Sequence, residues 1–151
     1  MCGIAGLIHK GKTVNIGKEL QDMLQALKHR GPDSTGFALY GKGNNQGDYI
    51  MRFKVGENVA EGSTAVNEDK SVYDARRKEV DKHIRDLGGS IVNDAQLTPY
   101  SFRYCINYDK DLMEFSKKIE SVEMTEILSL GKSLELVKDI GDAGVVSKQY
   151  G

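Results

Sequence analysis

An α+β chain is predicted, on three observations. Apolar residues alternate strictly over Tyr100 to Tyr108, apolar residues recur with helical period over Ile16 to Leu27, and glycine-rich breaks separate such segments. Each element follows from the same local rules, taken in chain order.

Residues 2–9 are apolar with Gly3, Ala5 and Gly6 interspersed, which predicts a buried strand. Lys10-Gly11-Lys12 reads as a turn. Asn15 caps a helix whose apolar residues Ile16, Leu20, Met23, Leu24 and Leu27 share one face, and that face is expected to pack as core. Gly31-Pro32 cannot continue the helix, so it stops near His29. Residues 30–36 form a polar loop leading to a short strand, Phe37 to Tyr40. Residues 41–48 are a turn, and Tyr49 to Val55 completes a hairpin with Tyr49, Met51, Phe53 and Val55 on one face.

Residues 57–70 are polar without an apolar period and read as a loop or linker. Ser71 with Asp74 makes a capping signature for a helix running past Tyr73, Val80, Ile84 and Leu87 to the Gly88-Gly89 stop. Its charges, Arg76, Arg77, Lys78, Glu79, Asp81 and Lys82, are expected to form a solvated face. A short strand follows near Ser90 to Asn93. Tyr100, Phe102, Tyr104, Ile106 and Tyr108 then alternate with Ser101, Arg103, Cys105 and Asn107 in the clearest strand of the chain. Asp109 can cap a helix carrying Leu112, Phe115 and Ile119, and another strand lies within Val122 to Leu130. Counted from Tyr49, the order is β-α-β-β-α-β, the split βαβ pattern of ferredoxin-like folds. A final helical stretch, Leu134 to Tyr150, is interrupted by Gly141 and Gly144.

Lys plus Arg number 21 against 22 Asp plus Glu, so no basic excess argues for nucleic acid or an anionic membrane as partner. No apolar run approaches the ~20 residues that cross a bilayer. The first ten residues are too short for a secretory signal and lack its basic lead-in, which makes the cytoplasm the expected compartment. Cys2 and Cys105 form neither a disulfide framework nor a zinc-site pattern, and His9, His29 and His83 are scattered. No metal or cofactor is therefore expected in this chain.

Cys2 is the sharpest chemical feature. Methionine aminopeptidase removes Met1 when the second residue is small, which would put a thiol and a free α-amino group on one residue. An α-amino group has a pKa of about 7.7–8.0, so it can take a proton near neutral pH and serve as base to its own thiol. Taken alone, a cysteine at this position is more often a small core residue. Cys105, opposite the aromatic residues of its strand, reads as a plain strand residue rather than a redox thiol.

A second motif bears on that choice. Met1-Cys2-Gly3-Ile4-Ala5-Gly6, followed by His29-Arg30-Gly31-Pro32-Asp33-Ser34-Thr35-Gly36, resembles the opening of class II glutamine amidotransferases, which are N-terminal-nucleophile hydrolases. The likeness covers the first ~40 residues. It implies that Cys2 attacks the side-chain amide of glutamine, releasing ammonia and leaving a glutamyl thioester for water to hydrolyse. It also implies supporting roles for Arg30 and Gly31 beside the nucleophile, with Asp33 and Ser34 holding the loop, while His29 reads as a helix-end residue. A turn-fixing salt bridge is the alternative role for Arg30 and Asp33.

The composition shift after Gly56, the β-α-β-β-α-β pattern and this resemblance together divide the chain into an N-terminal portion of the amidotransferase fold at residues 1–56, a ferredoxin-like insertion at 57–131, and a helical segment at 132–151 leading onward. That layout resembles the amidotransferase subunits of archaeal-type glutamate synthases and N-methylglutamate synthases. The implied partner is a synthase subunit that receives the ammonia and carries FMN and iron–sulfur centres. Two further family motifs, an Arg-Trp/Met-Ala-Thr segment for the glutamine carboxylate and an Asn-Gly pair for the oxyanion hole, do not occur in these 151 residues. Loss of one oxyanion donor alone costs ~10²–10³ in rate. The expectation is an N-terminal piece of a longer amidotransferase or a split gene, inactive by itself. The competing reading is a non-catalytic binding or regulatory module built on the ferredoxin-like section.

Overall fold

A computed structural model of the chain describes residues 2–11, 15–30, 33–42, 48–57 and 68–150. The element order is α1 (Ile16–Ala26), a 3-10 turn (Lys28–Arg30), β1 (Ser34–Tyr40), β2 (Asp48–Lys54), α2 (Lys70–Asp86), β3 (Ser90–Thr98), β4 (Ser101–Asn107), α3 (Leu112–Ile119), β5 (Glu126–Gly131), β6 (Leu134–Ile140) and α4 (Ala143–Tyr150). This is the expected α+β class. Two compact units emerge, Met1–Gly36 with Lys138–Gly151, and Phe37–Val137.

The larger unit is built on a four-stranded antiparallel sheet in the order β3-β4-β2-β5. β4 lies between β2 and β3, so the β2–α2–β3 crossover is split by a strand from later in the chain. Alternation places Met51, Phe53 and Val55 of β2 and its exit on the same face as Phe102, Tyr104 and Ile106 of β4, all at most 1% exposed. Val80 and Ile84 of α2 and Phe115 and Ile119 of α3 close over that face, each fully buried. Phe53 stacks on Phe102 with ring centroids 5.3 Å apart and meets Tyr104 edge-on at 4.9 Å.

Both helix starts differ from expectation by two residues. Asp69, not Ser71, caps α2, its carboxylate accepting from the Ser71 N–H at 2.8 Å. Asp111, not Asp109, caps α3 and accepts from Met113 at 2.7 Å. An aspartate cap is as good as a serine one. Nor is the charged face of α2 merely solvated. Arg76 pairs with Glu68 and donates to the Val55 carbonyl at 3.1 Å. Arg77 pairs with Asp94, donates to the Tyr104 hydroxyl at 2.7 Å and lies over the Phe102 ring at 4.8 Å.

The expected β1–β2 hairpin does not form. β1 pairs with β6, and β2 pairs with β4 and β5. Gly41 N–H donates to Ser133 at 2.8 Å and Gly141 N–H donates to Asp33 at 3.1 Å, so the β1–β6 ladder is antiparallel. The expected helix over Leu134–Tyr150 is accordingly half strand. Leu134–Ile140 is β6, and only Ala143–Tyr150 is helical. Gly141 separates them with φ +121°, a left-handed value that stops the strand.

In the smaller unit, α1 forms as predicted, with the Asn15 carboxamide accepting from Lys18 N–H at 3.1 Å. Its apolar stripe is not core, however. No α1 residue is buried, and Met23 is 40% exposed. α1 lies against α4, whose Ala143 and Val146 are the buried residues of that helix. Residues 2–9 are not the buried strand expected of them. They join no ladder among the described residues, although exposure still alternates, with Gly3, Ala5 and Leu7 turned inward and Ile4 and Ile8 about 90% exposed. A strand needs a neighbour to accept its backbone bonds, and the apolar sequence alone does not supply one.

Candidate active site

Cys2 is exposed, which sets it apart from the usual buried free cysteine. The next residue ties its segment to the end of α1. A Cβ placed on Gly3 would stand 3.1 Å from the Leu27 Cβ and 3.6 Å from the Arg30 Cβ, so glycine permits a close approach of the two segments. Further along, His9 Nε2 lies 2.9 Å from a Glu19 carboxylate oxygen, a second tie between the N-terminal segment and α1.

Arg30 ends the 3-10 turn, its N–H donating to the Leu27 carbonyl at 2.9 Å. His29 sits in the same exposed turn. Gly31 and Pro32 lie outside the described residues. Asp33 is exposed at the entry to β1, where its backbone carbonyl accepts from Gly141. The structure thus brings the segment bearing Cys2 up to Arg30, and sets Asp33 on the following strand entry.

Beside Gly3 opens a cleft of about 80 Å³, bounded by Leu24, Leu27 and Lys28 on one side and by Ser34, Thr35, Asp142 and Ala143 on the other. Water occupies about 30 Å³ in the liquid and small-molecule pockets run to roughly 300–1,000 Å³, so this cleft is small for a whole amino-acid substrate. The Asp142 carboxylate is held below the usual carboxylate range. The Val145 N–H is the largest cause, followed by the Gln25 amide and the Gly144 N–H, with Lys28 adding to them.

Two residues at or beside this cleft were not singled out in the sequence: Asp142, which lines it, and Gln25, which donates to the Asp142 carboxylate. The readable signal was Gly141-Asp142-Ala143-Gly144, a glycine stop followed by an aspartate N-cap. Taken as interruptions within one helix, those residues hid a strand end and a helix start. Cys105 is half-buried in β4, and burial with the nearby Asp48 pushes its thiol pKa up, away from thiolate reactivity. Among the described residues no group of three or more His, Cys, Asp or Glu side chains could hold a metal, and no helix is long and apolar enough to cross a membrane.

The proteins to which this chain is similar include two named for glutamine amidotransfer. A protein of Methanothermobacter thermautotrophicus named as a glutamine amidotransferase is 31% identical over 154 aligned residues, covering 99% of this chain and 47% of its own length. A Methanocaldococcus jannaschii protein named as a glutamine-hydrolysing asparagine synthetase is 38% identical over 87 residues, 54% of this chain and 16% of its own length. The glutamine amidotransferase-like protein GlxB of Rhizobium meliloti is 49% identical over 43 residues, 27% of this chain and 14% of its own length. The chain therefore spans about half the length of the first relative and less of the others. No protein-family model matches it.

Proposed function

We propose that the chain is the nucleophile-bearing part of a class II glutamine amidotransferase of the N-terminal-nucleophile type. The observation that carries this reading is an exposed cysteine at position 2 whose neighbour packs on Arg30, in a chain similar to proteins named for glutamine amidotransfer.

In the reaction, Met1 is removed and the Cys2 α-amino group accepts the thiol proton, directly or through a water. The Cys2 sulfur attacks the side-chain carbonyl carbon of glutamine. The carbon–nitrogen bond then breaks, and the proton held by the amino group passes to the departing nitrogen, which leaves as ammonia. Water adds to the thioester, releasing glutamate and restoring the thiol. Arg30 beside the nucleophile segment orients the Cys2 amino group, and Gly31 and Asp33 shape the loop that follows it.

Residues of the split four-stranded unit form a ferredoxin-like module that docks a synthase subunit consuming the ammonia. Redox cofactors of such a synthase, FMN and iron–sulfur centres, are assigned to that partner; for an all-thiolate cluster, which takes four cysteines, this chain has two. The test is glutamate release from glutamine by the protein as the cell makes it, with its synthase partner added. Cys2→Ala is expected to reduce release to the uncatalysed background. Undiminished release by Cys2→Ala would refute the assignment of the nucleophile.

A further inference from the structure

We propose that Gly141 and Asp142 are a positioning pair for this site, holding the Arg30 turn and the Asp33–Thr35 segment in register with the Cys2 segment; the inference rests on the glutaminase reading above. Gly141 brackets the start of β1 from both sides. Its N–H donates to the Asp33 carbonyl at 3.1 Å, and its own carbonyl accepts from the Thr35 hydroxyl at 2.8 Å. Its φ of +121° and the proximity of Val145, 2.9 Å from where a Cβ would stand, reserve the position for glycine.

Asp142 reaches the other side of the Arg30 turn. One carboxylate oxygen accepts from Gly144 N–H at 3.0 Å and Val145 N–H at 3.1 Å, the bonds that start α4. The second accepts from the Gln25 amide at 3.3 Å, and Gln25 in turn accepts from Gly144 N–H at 3.2 Å. Helix capping needs only the first set. The second spends the remaining carboxylate oxygen on the last turn of α1, just ahead of the Leu27 and Arg30 side chains that pack on Gly3. Strand pairing likewise needs the Gly141 N–H but not the Thr35 hydroxyl. One dipeptide, more than a hundred residues downstream, thus fixes both chain segments that flank residues 31–32 and through them the approach of Gly3. Displacements of about 1 Å away from the chemistry can lower rates by ~10²-fold, which makes such a bracket consequential.

The test uses the protein as the cell makes it and three mild substitutions, Gln25→Leu, Thr35→Val and Asp142→Ser, the last retaining a helix cap. Each is expected to lower kcat for glutamine about 10–100-fold with KM changed by less than about threefold, while the melting temperature stays near wild type. Thr35→Ser, which restores the hydroxyl, is expected to recover kcat. Combining Gln25→Leu with Asp142→Ser should cost no more than the worse single change, because both break one interaction. Wild-type kcat in the folded variants, or a loss that follows melting temperature alone, would overturn the positioning role. Failure of the wild-type protein to hydrolyse glutamine and to react at Cys2 with a glutamine analogue would instead overturn the glutaminase reading itself.

Discussion

At the residue scale, the large apolar row of β4 was legible because it depends on position alone. Five such residues at alternate positions need no partner to be recognised, whereas Cys2 stood out only beside the second motif at residues 29–36. The tie from Asp142 to α1 was not legible, since its partner Gln25 lies 117 residues away. The same holds for Tyr104, fully buried, whose hydroxyl donates to Asp81 at 2.7 Å and accepts from Arg77. Burial, then Asp81, pushes its pKa up, so it stays a donor throughout the working pH range. Tyr104→Phe should destabilise the protein by about 1–2 kcal/mol by removing the hydroxyl that bonds the Asp81 carboxylate and the Arg77 Nε, read as a lower urea midpoint at constant slope. Gly141→Ala should cost about 1–3 kcal/mol because its left-handed φ and the nearby Val145 both oppose a Cβ. An unchanged midpoint in either variant would show that the site relaxes around the change.

Elements read best where pattern and tertiary neighbours agree. The helices α1, α2 and α3 appear where apolar spacing placed them, and the β-α-β-β-α-β order survives in the larger unit. Pairing was harder to read. Consecutive strands are neighbours about two-thirds of the time, which favoured a β1–β2 hairpin, but β1 takes β6 instead. β6 was hidden because Leu134, Leu136 and Val137 fit a helical period as well as a strand. Its Glu135 is gripped by Arg52 at 2.7 Å and by Arg103 at 2.9 Å through two nitrogens. Burial raises the Glu135 pKa, but the Arg103 and Arg52 hydrogen bonds outweigh it and leave the pKa lowered. The stabilisation is therefore complete above the ordinary glutamate pKa of about 4.3 and fades as pH falls through the depressed value. Glu135→Gln should cost about 1–3 kcal/mol at pH 7, with the gap to wild type closing below about pH 4. A gap independent of pH in acid would argue that the arginines gain nothing from the carboxylate charge.

Across the whole molecule the two units are unequally built. The larger concentrates its fully buried side chains between one sheet face and two helices, whereas α1 of the smaller buries no residue completely and Ile4 and Ile8 stand almost bare. Amide exchange should be slower over residues 71–130 than over residues 2–36, and the reverse order would contradict this division of stability. The smaller unit nonetheless bears Cys2, and the central proposal is that Cys2 is a processed N-terminal nucleophile for glutamine. Intact-mass analysis after treatment with a glutamine analogue bearing a diazoketone in place of the amide tests that claim most directly, using the protein as the cell makes it. The expected result is a chain lacking Met1 with a single adduct on Cys2, suppressed by excess glutamine and absent from Cys2→Ala. A retained Met1, or an adduct that appears on Cys105 or nowhere, would contradict it.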